Sequence, residues 1–451
     1  MGPGWAGKGR AIPIRLTSMP TATSSAPTRN EKRAVPAGPA ANRITSIDAL
    51  RGLVMFLMIY VNDLAGVSPK IVPAWMRHYH GNSGMTFVDL IFPAFLFIAG
   101  MSIPFAFGSR LDRESLWKTI LHLLTRTLSL LLIGVMMVNE SPDTKLMGWP
   151  SSLWSVLMFS CAILAFCTLR HRKDAGEAAK SRKLWFLNVA LRVVGFGGLV
   201  FLAFSFRGEN GERIISLSPF SIHTSWYGIL GLIGWAYLVS ALLFLVFRER
   251  RTALLGCMVL LFCLYAADRR GLFDGFWLSK YVGVGEMLGS QAAITLAGVF
   301  LATILVTPGT NTTEARTRFT VLFAVGCAAA AVLVHRLYGI NKNNATPSWC
   351  LWACASTALL WLGFYLAADA AVLPAGGRLV KPLTLAGSNV LLAYLLSEML
   401  PSLLELLGLD DFYSRIAEGN LACAIARSVT CAVLLLGVTS LVNKAGFRLK
   451  L

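Results

Sequence analysis

Apolar runs of about 20 residues recur along the chain from residue 47 onward, and a helix needs ~20 apolar residues to cross a hydrocarbon core. Polar or charged breaks delimit twelve such stretches, at roughly 47–67, 86–108, 118–138, 151–170, 184–205, 226–247, 252–268, 286–307, 317–336, 349–373, 382–407 and 421–443. With 55% of residues hydrophobic and 14% charged, the chain is a poor fit to a water-soluble globule. The expected fold class is all-α, a polytopic transmembrane helix bundle of about 11–12 spans, with 252–268 the least secure because it is short. Residues 1–42 differ: they are rich in Pro, Ser, Thr, Ala and Gly and lack an apolar stretch. They read as a disordered basic tail rather than a cleavable signal, which leaves 43–451 as the transmembrane domain.

The charge is +18, from 41 Lys and Arg against 23 Asp and Glu. In a soluble protein that excess would suggest nucleic acid, but here the basic residues flank apolar spans and no recognition motif accompanies them, so they read as topology signals and lipid headgroup contacts. With the tail inside, internal segments carry Arg110, Arg113 and Lys118, then Arg170 through Lys183, then Arg248, Arg250 and Arg251, while external loops are poorer. The exception is the loop after the seventh stretch, with Arg269, Arg270 and Lys280. The rule places both termini in the cytoplasm and the loop between the first two spans outside. Seven of the nine cysteines lie within apolar runs, and Cys350 and Cys354 have neither zinc-site nor disulfide-framework spacing, so no metal is expected.

That first outer loop, Trp75-Met-Arg-His78-Tyr-His80-Gly-Asn-Ser-Gly84-Met-Thr86-Phe-Val-Asp89, holds the densest chemistry. A histidine near neutral pH accepts a proton from an attacking amine or hydroxyl, although a loop histidine is more often merely solvated. Asp89 reads either as a helix-start carboxylate or as the partner that orients a histidine. Asn62, at the outer end of the first span, would alone be an interhelical hydrogen-bonder. At the inner end, Asp48 and Arg51 stand three apart, either as a plain ion pair or with Arg51 receiving an anionic ligand. Asn341 through Trp349 form a second outward polar cluster, while Gly387-Ser388-Asn389, Tyr394 and Glu398 put polar groups inside the eleventh span.

Taken together, Ser46-Ile-Asp48-Ala-Leu-Arg51-Gly52, Val61-Asn62, Gly84-Met-Thr86-Phe-Val-Asp89-Leu-Ile-Phe92-Pro93 and Phe95-Leu-Phe-Ile-Ala-Gly100 resemble the heparan-α-glucosaminide N-acetyltransferase family. Its bacterial branch looks closest, through Trp226–Tyr237, Ala345–Trp349 and Ala386–Asn389. The resemblance implies an enzyme of the bacterial inner membrane that takes acetyl-CoA from the cytoplasm and acetylates an amino sugar or glycan on the outer face. It carries the family's active-site histidine over to His78, with His80 as alternative because the spacing before Gly84 differs from the animal enzyme, and its asparagine over to Asn62. On that reading Asp89 orients the histidine, Arg51 and Arg126 contact the CoA phosphates, and no metal takes part. Partners would be membrane lipids, acetyl-CoA and the acceptor, not nucleic acid, with the oligomeric state open and a homodimer included. About twelve spans with internal polar residues also fit a sugar or lipid-linked sugar transporter or flippase, or a regulatory protein that binds CoA without turnover.

Overall fold

The computed structural model describes residues 44–139, 142–169, 178–218, 220–248, 250–306, 312–370, 372 and 376–451. The expected tail at 1–42 lies outside the described residues. Helices follow in chain order as α1 (Thr45–Ala65), α2 (Ile91–Leu111), α3 (Leu116–Val138), α4 (Thr144–Met147), α5 (Ser151–Phe166), α6 (Ala178–Ser205), α7 (Gly228–Phe247) and α8 (Arg251–Asp268). The second half continues with α9 (Ala292–Val306), α10 (Thr313–Tyr338), α11 (Pro347–Phe364), α12 (Gly376–Ala386), α13 (Val390–Leu406), α14 (Asp410–Glu418) and α15 (Leu421–Lys444). Among the described residues, nine helices are long and apolar enough to cross a membrane, or ten if the bent pair α12–α13 counts as one span. α1 is as long as these but carries Asp48, Arg51 and Asp63, and α5 is shorter.

Two departures from the expected spans have local causes. The fourth stops at Phe166 because Cys167–Leu169 pairs antiparallel with Phe447–Leu449, while the Asn188 side chain brackets Leu169 through both its N–H (2.8 Å) and its carbonyl (3.1 Å). The eleventh breaks by 60° between α12 and α13. Asn389 sits at the break, and its side chain bonds the Leu449 N–H and the Phe447 carbonyl, anchoring the chain to that strand.

The Val284–Val306 segment, π-helical as far as Gln291, is the most enclosed of the candidate spans. Its small residues make this possible. A Cβ at Gly298 would overlap the Phe97 carbonyl of α2, and one at Gly100 would overlap the Thr295 carbonyl of α9, so the two backbones touch reciprocally. The same exchange joins α1 to α12, where Gly52 meets the Leu383 carbonyl and Gly387 meets that of Asp48. α3 and α7 meet at Gly134, against the Tyr227 carbonyl.

At the other end of α1 a buried polar clamp fixes the helix. Asp63 receives Arg427 Nε (3.2 Å) and Ser428 Oγ (2.6 Å) on Oδ2 and the Tyr413 hydroxyl (2.6 Å) on Oδ1, so both oxygens of that carboxylate are hydrogen-bonded.

Candidate active site

The loop between α1 and α2 is folded by its own polar groups onto Asp89. Thr86-Phe-Val-Asp89 forms a capping arrangement in which Asp89 Oδ2 accepts the Thr86 N–H (3.0 Å) and the Tyr79 N–H (3.1 Å), while Thr86 Oγ1 donates to the Arg77 carbonyl (2.7 Å). Asp89 is 1% exposed, and its second oxygen, Oδ1, lies 2.9 Å from His78 Nδ1. One oxygen of Asp89 thus faces backbone N–H groups of the loop and the other faces His78. With Nδ1 engaged, Nε2 is the ring nitrogen left for a substrate, on a side chain more than a third exposed. His80, two residues on, is exposed.

A third group completes the cluster. Gly339 ends α10 at φ +64 and ψ −172, a conformation all but restricted to glycine, and swings the following loop onto the His78 loop. Gly84 N–H donates to the Ile340 carbonyl (2.9 Å) and Ile340 N–H to Ser83 Oγ (3.0 Å). Lys342 Nζ then lies 2.9 Å from His78 Nδ1 and 3.6 Å from Asp89 Oδ1. Burial lowers the Lys342 pKa below the ordinary lysine value, against the raising effect of Asp89. Nδ1 holds at most one proton, so it cannot donate to Asp89 and accept from the Lys342 ammonium together. The two contacts define two tautomers of His78, one with a free Nε2 lone pair and one with Nε2–H. Sequence reading does not single out Lys342, which looks there like a loop cation.

Asn62 is not in this cluster. Its Nδ2 donates to Glu398 Oε1 of α13 at 2.9 Å, linking two residues that the sequence flags separately.

Arg51 and Arg126 meet at the opposite end of the bundle. Both line a cavity of about 520 Å³, with Arg110, His122 and Lys450 also in its wall. Arg51 donates to Asp48 Oδ1 (2.8 Å) and Ser102 Oγ (2.7 Å), and Arg126 stacks over the Tyr237 ring at 4.6 Å. Arg126 Nε is buried without a hydrogen-bond partner among the described residues, an open donor beside the cavity. Along α1 the wall runs Arg51, Met55, Met58. That helical face continues to Asn62, ~16 Å from Arg51 at 1.5 Å per residue. On α13 the cavity reaches Tyr394, one turn before Glu398. The Asn62–Glu398 pair therefore stands a turn beyond Met58 and Tyr394, on the side of the cavity away from Arg51.

A domain of unknown function, DUF5009, matches residues 43–222. The mouse (Mus musculus) heparan-alpha-glucosaminide N-acetyltransferase is 34% identical over 111 residues, 24% of this chain and 16% of that protein. The human (Homo sapiens) protein of the same name is 32% identical over 108 residues, covering 24% of this chain and 15% of its own length. The chain is related to these N-acetyltransferases. The match spans about a sixth of the acetyltransferases' length. The DUF5009 segment holds Arg51, Asn62, His78, His80, Asp89 and Arg126, while Lys342 and Glu398 lie beyond it. Together with the nine candidate spans, this relationship makes the chain an integral membrane protein.

Proposed function

We propose that the protein is a membrane acetyltransferase that uses acetyl-CoA from the cytoplasm to acetylate the amine of an amino sugar or glycan on the outer face. One observation carries the reading: a cationic cavity at one end of the bundle and a His78–Asp89 pair at the other, with one face of α1 leading from Arg51 toward Asn62. That separation suits a donor with phosphates at one end and a thioester at the end of a long pantetheine arm. Arg51 and Arg126 supply cations for the phosphates. His78, its Nδ1–H held by Asp89, accepts a proton on Nε2 from the attacking amine. The amine nitrogen bonds the acetyl carbon, the C–S bond breaks, and CoA leaves as its thiol. Asn62 spends one amide hydrogen on Glu398 and has a second with which to position the thioester arm on its way from the cavity. A route through an acetylated His78 uses the same atoms in two steps. The charge asymmetry of the loops supports cytoplasmic termini, and the resemblance to the bacterial branch supports the inner membrane as the location.

Reconstituted protein, labelled acetyl-CoA and a panel of glucosamine-type acceptors test this. The expected result is transfer by wild type and by His80→Ala, with a loss of ~10²–10⁴-fold in His78→Ala. No transfer to any acceptor, or CoA-independent movement of intact sugar across the bilayer, would overturn the reading in favour of transport.

A further inference from the structure

Arg269 and Arg270 break the charge asymmetry of the chain, lying at the same end of the bundle as the His78 loop. Their place in the fold gives them a use. With Tyr265, Tyr338, Asn344 and Thr346 they line a second, half-open cavity of about 380 Å³. Tyr265 and Tyr338 meet edge to face at 5.5 Å, and Arg269 donates through Nε to the Tyr265 hydroxyl (3.1 Å). Glu286 Oε1 lies 2.7 Å from Arg269 Nη2 and balances that charge, while Asp268 is turned to the Gly285 N–H. The Arg270 side chain makes no hydrogen bond or ion pair among the described residues, so its guanidinium donors stay available at the cavity although Asp268 and Glu286 lie near Arg269. Asn344 and Thr346 belong to the loop that presents Lys342 to His78, and Asn344 is held by its N–H to Asn341 Oδ1 (3.0 Å). Lys342 and Asn344 are two residues apart, at most ~7 Å between Cα atoms.

We infer that this cavity is a subsite for an oxyanion, a phosphate, sulfate or carboxylate, carried by the molecule whose amine reaches His78. A guanidinium with an adjacent amide and phenol suits such a group, since planar paired N–H donors match oxyanion geometry. The link to an acceptor rests on the proposed transfer reaction; the anion site itself does not. The oxyanion belongs either to a soluble acidic sugar or to a lipid headgroup at the membrane surface, and the chemistry of recognition is the same.

The test reads binding rather than turnover, so its failure and that of the transfer reaction are separable. Full-length protein in neutral phosphatidylcholine nanodiscs is unfolded thermally with glucosamine, glucosamine 6-phosphate or inorganic phosphate at constant ionic strength, and again in nanodiscs containing phosphatidylglycerol. Arg270→Gln is compared with Arg213→Gln, which removes an exposed cation outside the cavity. Glucosamine 6-phosphate is expected to raise Tm saturably in wild type and Arg213→Gln, with binding weakened ~10–100-fold in Arg270→Gln, the loss of one charge-assisted hydrogen bond. An Arg270-dependent rise with phosphatidylglycerol alone supports the site and identifies the oxyanion as a lipid's. An equal shift in Arg270→Gln, or no shift with any probe in either bilayer, overturns the inference.

Discussion

Replacing Asp89 by Asn keeps the shape of the side chain and changes what it can accept. The carboxylate faces four nitrogens, with the Tyr79 and Thr86 N–H groups at Oδ2 and His78 Nδ1 and Lys342 Nζ at Oδ1. An amide has one acceptor oxygen. Turning that oxygen away would leave two backbone donors unpaired at ~1–3 kcal/mol each, so it stays on them and the NH₂ faces His78. Nδ1 must then accept, the proton moves to Nε2, and the base is lost. A carboxylate-to-amide change beneath a catalytic histidine lowers turnover about 10⁴-fold in a serine protease, and about 10³–10⁴-fold is expected here, or ~4–5 kcal/mol of barrier. The assay is the initial rate of labelled acetyl transfer by reconstituted Asp89→Asn, with Tm measured in parallel to separate folding from chemistry. Turnover within tenfold of wild type, alongside an inactive His78→Ala, would refute the idea that Asp89 sets the tautomer.

Arg427→Ala strands the Asp63 carboxylate in a site where both side chains are nine-tenths buried, and should cost ~3–5 kcal/mol, seen as a large drop in the Tm of purified protein. Gly100→Leu should abolish the folded, monodisperse species on size exclusion because its Cβ meets a backbone carbonyl, whereas Gly108→Ala on the same helix, with nothing within 4 Å, should behave as wild type. The lowered pKa of Lys342 means that the folded state releases this proton more readily than the unfolded chain does. Stability should therefore rise as pH increases from that lowered value toward the ordinary ~10.4, and the Tm difference between wild type and Lys342→Met should move upward over the same range; a flat difference would refute the assignment.

Helix positions were legible in the sequence because a membrane span writes its length directly into hydropathy, and every expected stretch contains helical structure. The end of α5 and the bend before α13 were less so, since both depend on the strand Phe447–Leu449, hundreds of residues away from the first. At the site, His78 and Asp89 stand eleven residues apart and could be suspected as a pair. Lys342 reaches His78 across 264 residues, and Glu398 reaches Asn62 across 336. No local periodicity encodes such meetings; they arise when the bundle closes. Arg269 and Arg270 are the converse case: they depart from the loop-charge pattern in the sequence, and both line a cavity in the structure.

The reciprocal glycine contacts bear on how the Arg51 cavity is walled. α1 with α12, α2 with α9, and α3 with α7 each touch backbone to backbone, with no side chain between them at these points. The cavity has Arg51 and Gly387 from the first pair in its wall, Phe95 and Ser102 from the second, and Arg126 and Ile233 from the third, so it lies on the seam where three closely packed pairs meet. The Arg51–Ser102 hydrogen bond crosses that seam. An anion that drew Arg51 to itself would take over the bond that Arg51 gives to Ser102, so the ligand would compete with a contact between α1 and α2 at the point of its own arrival.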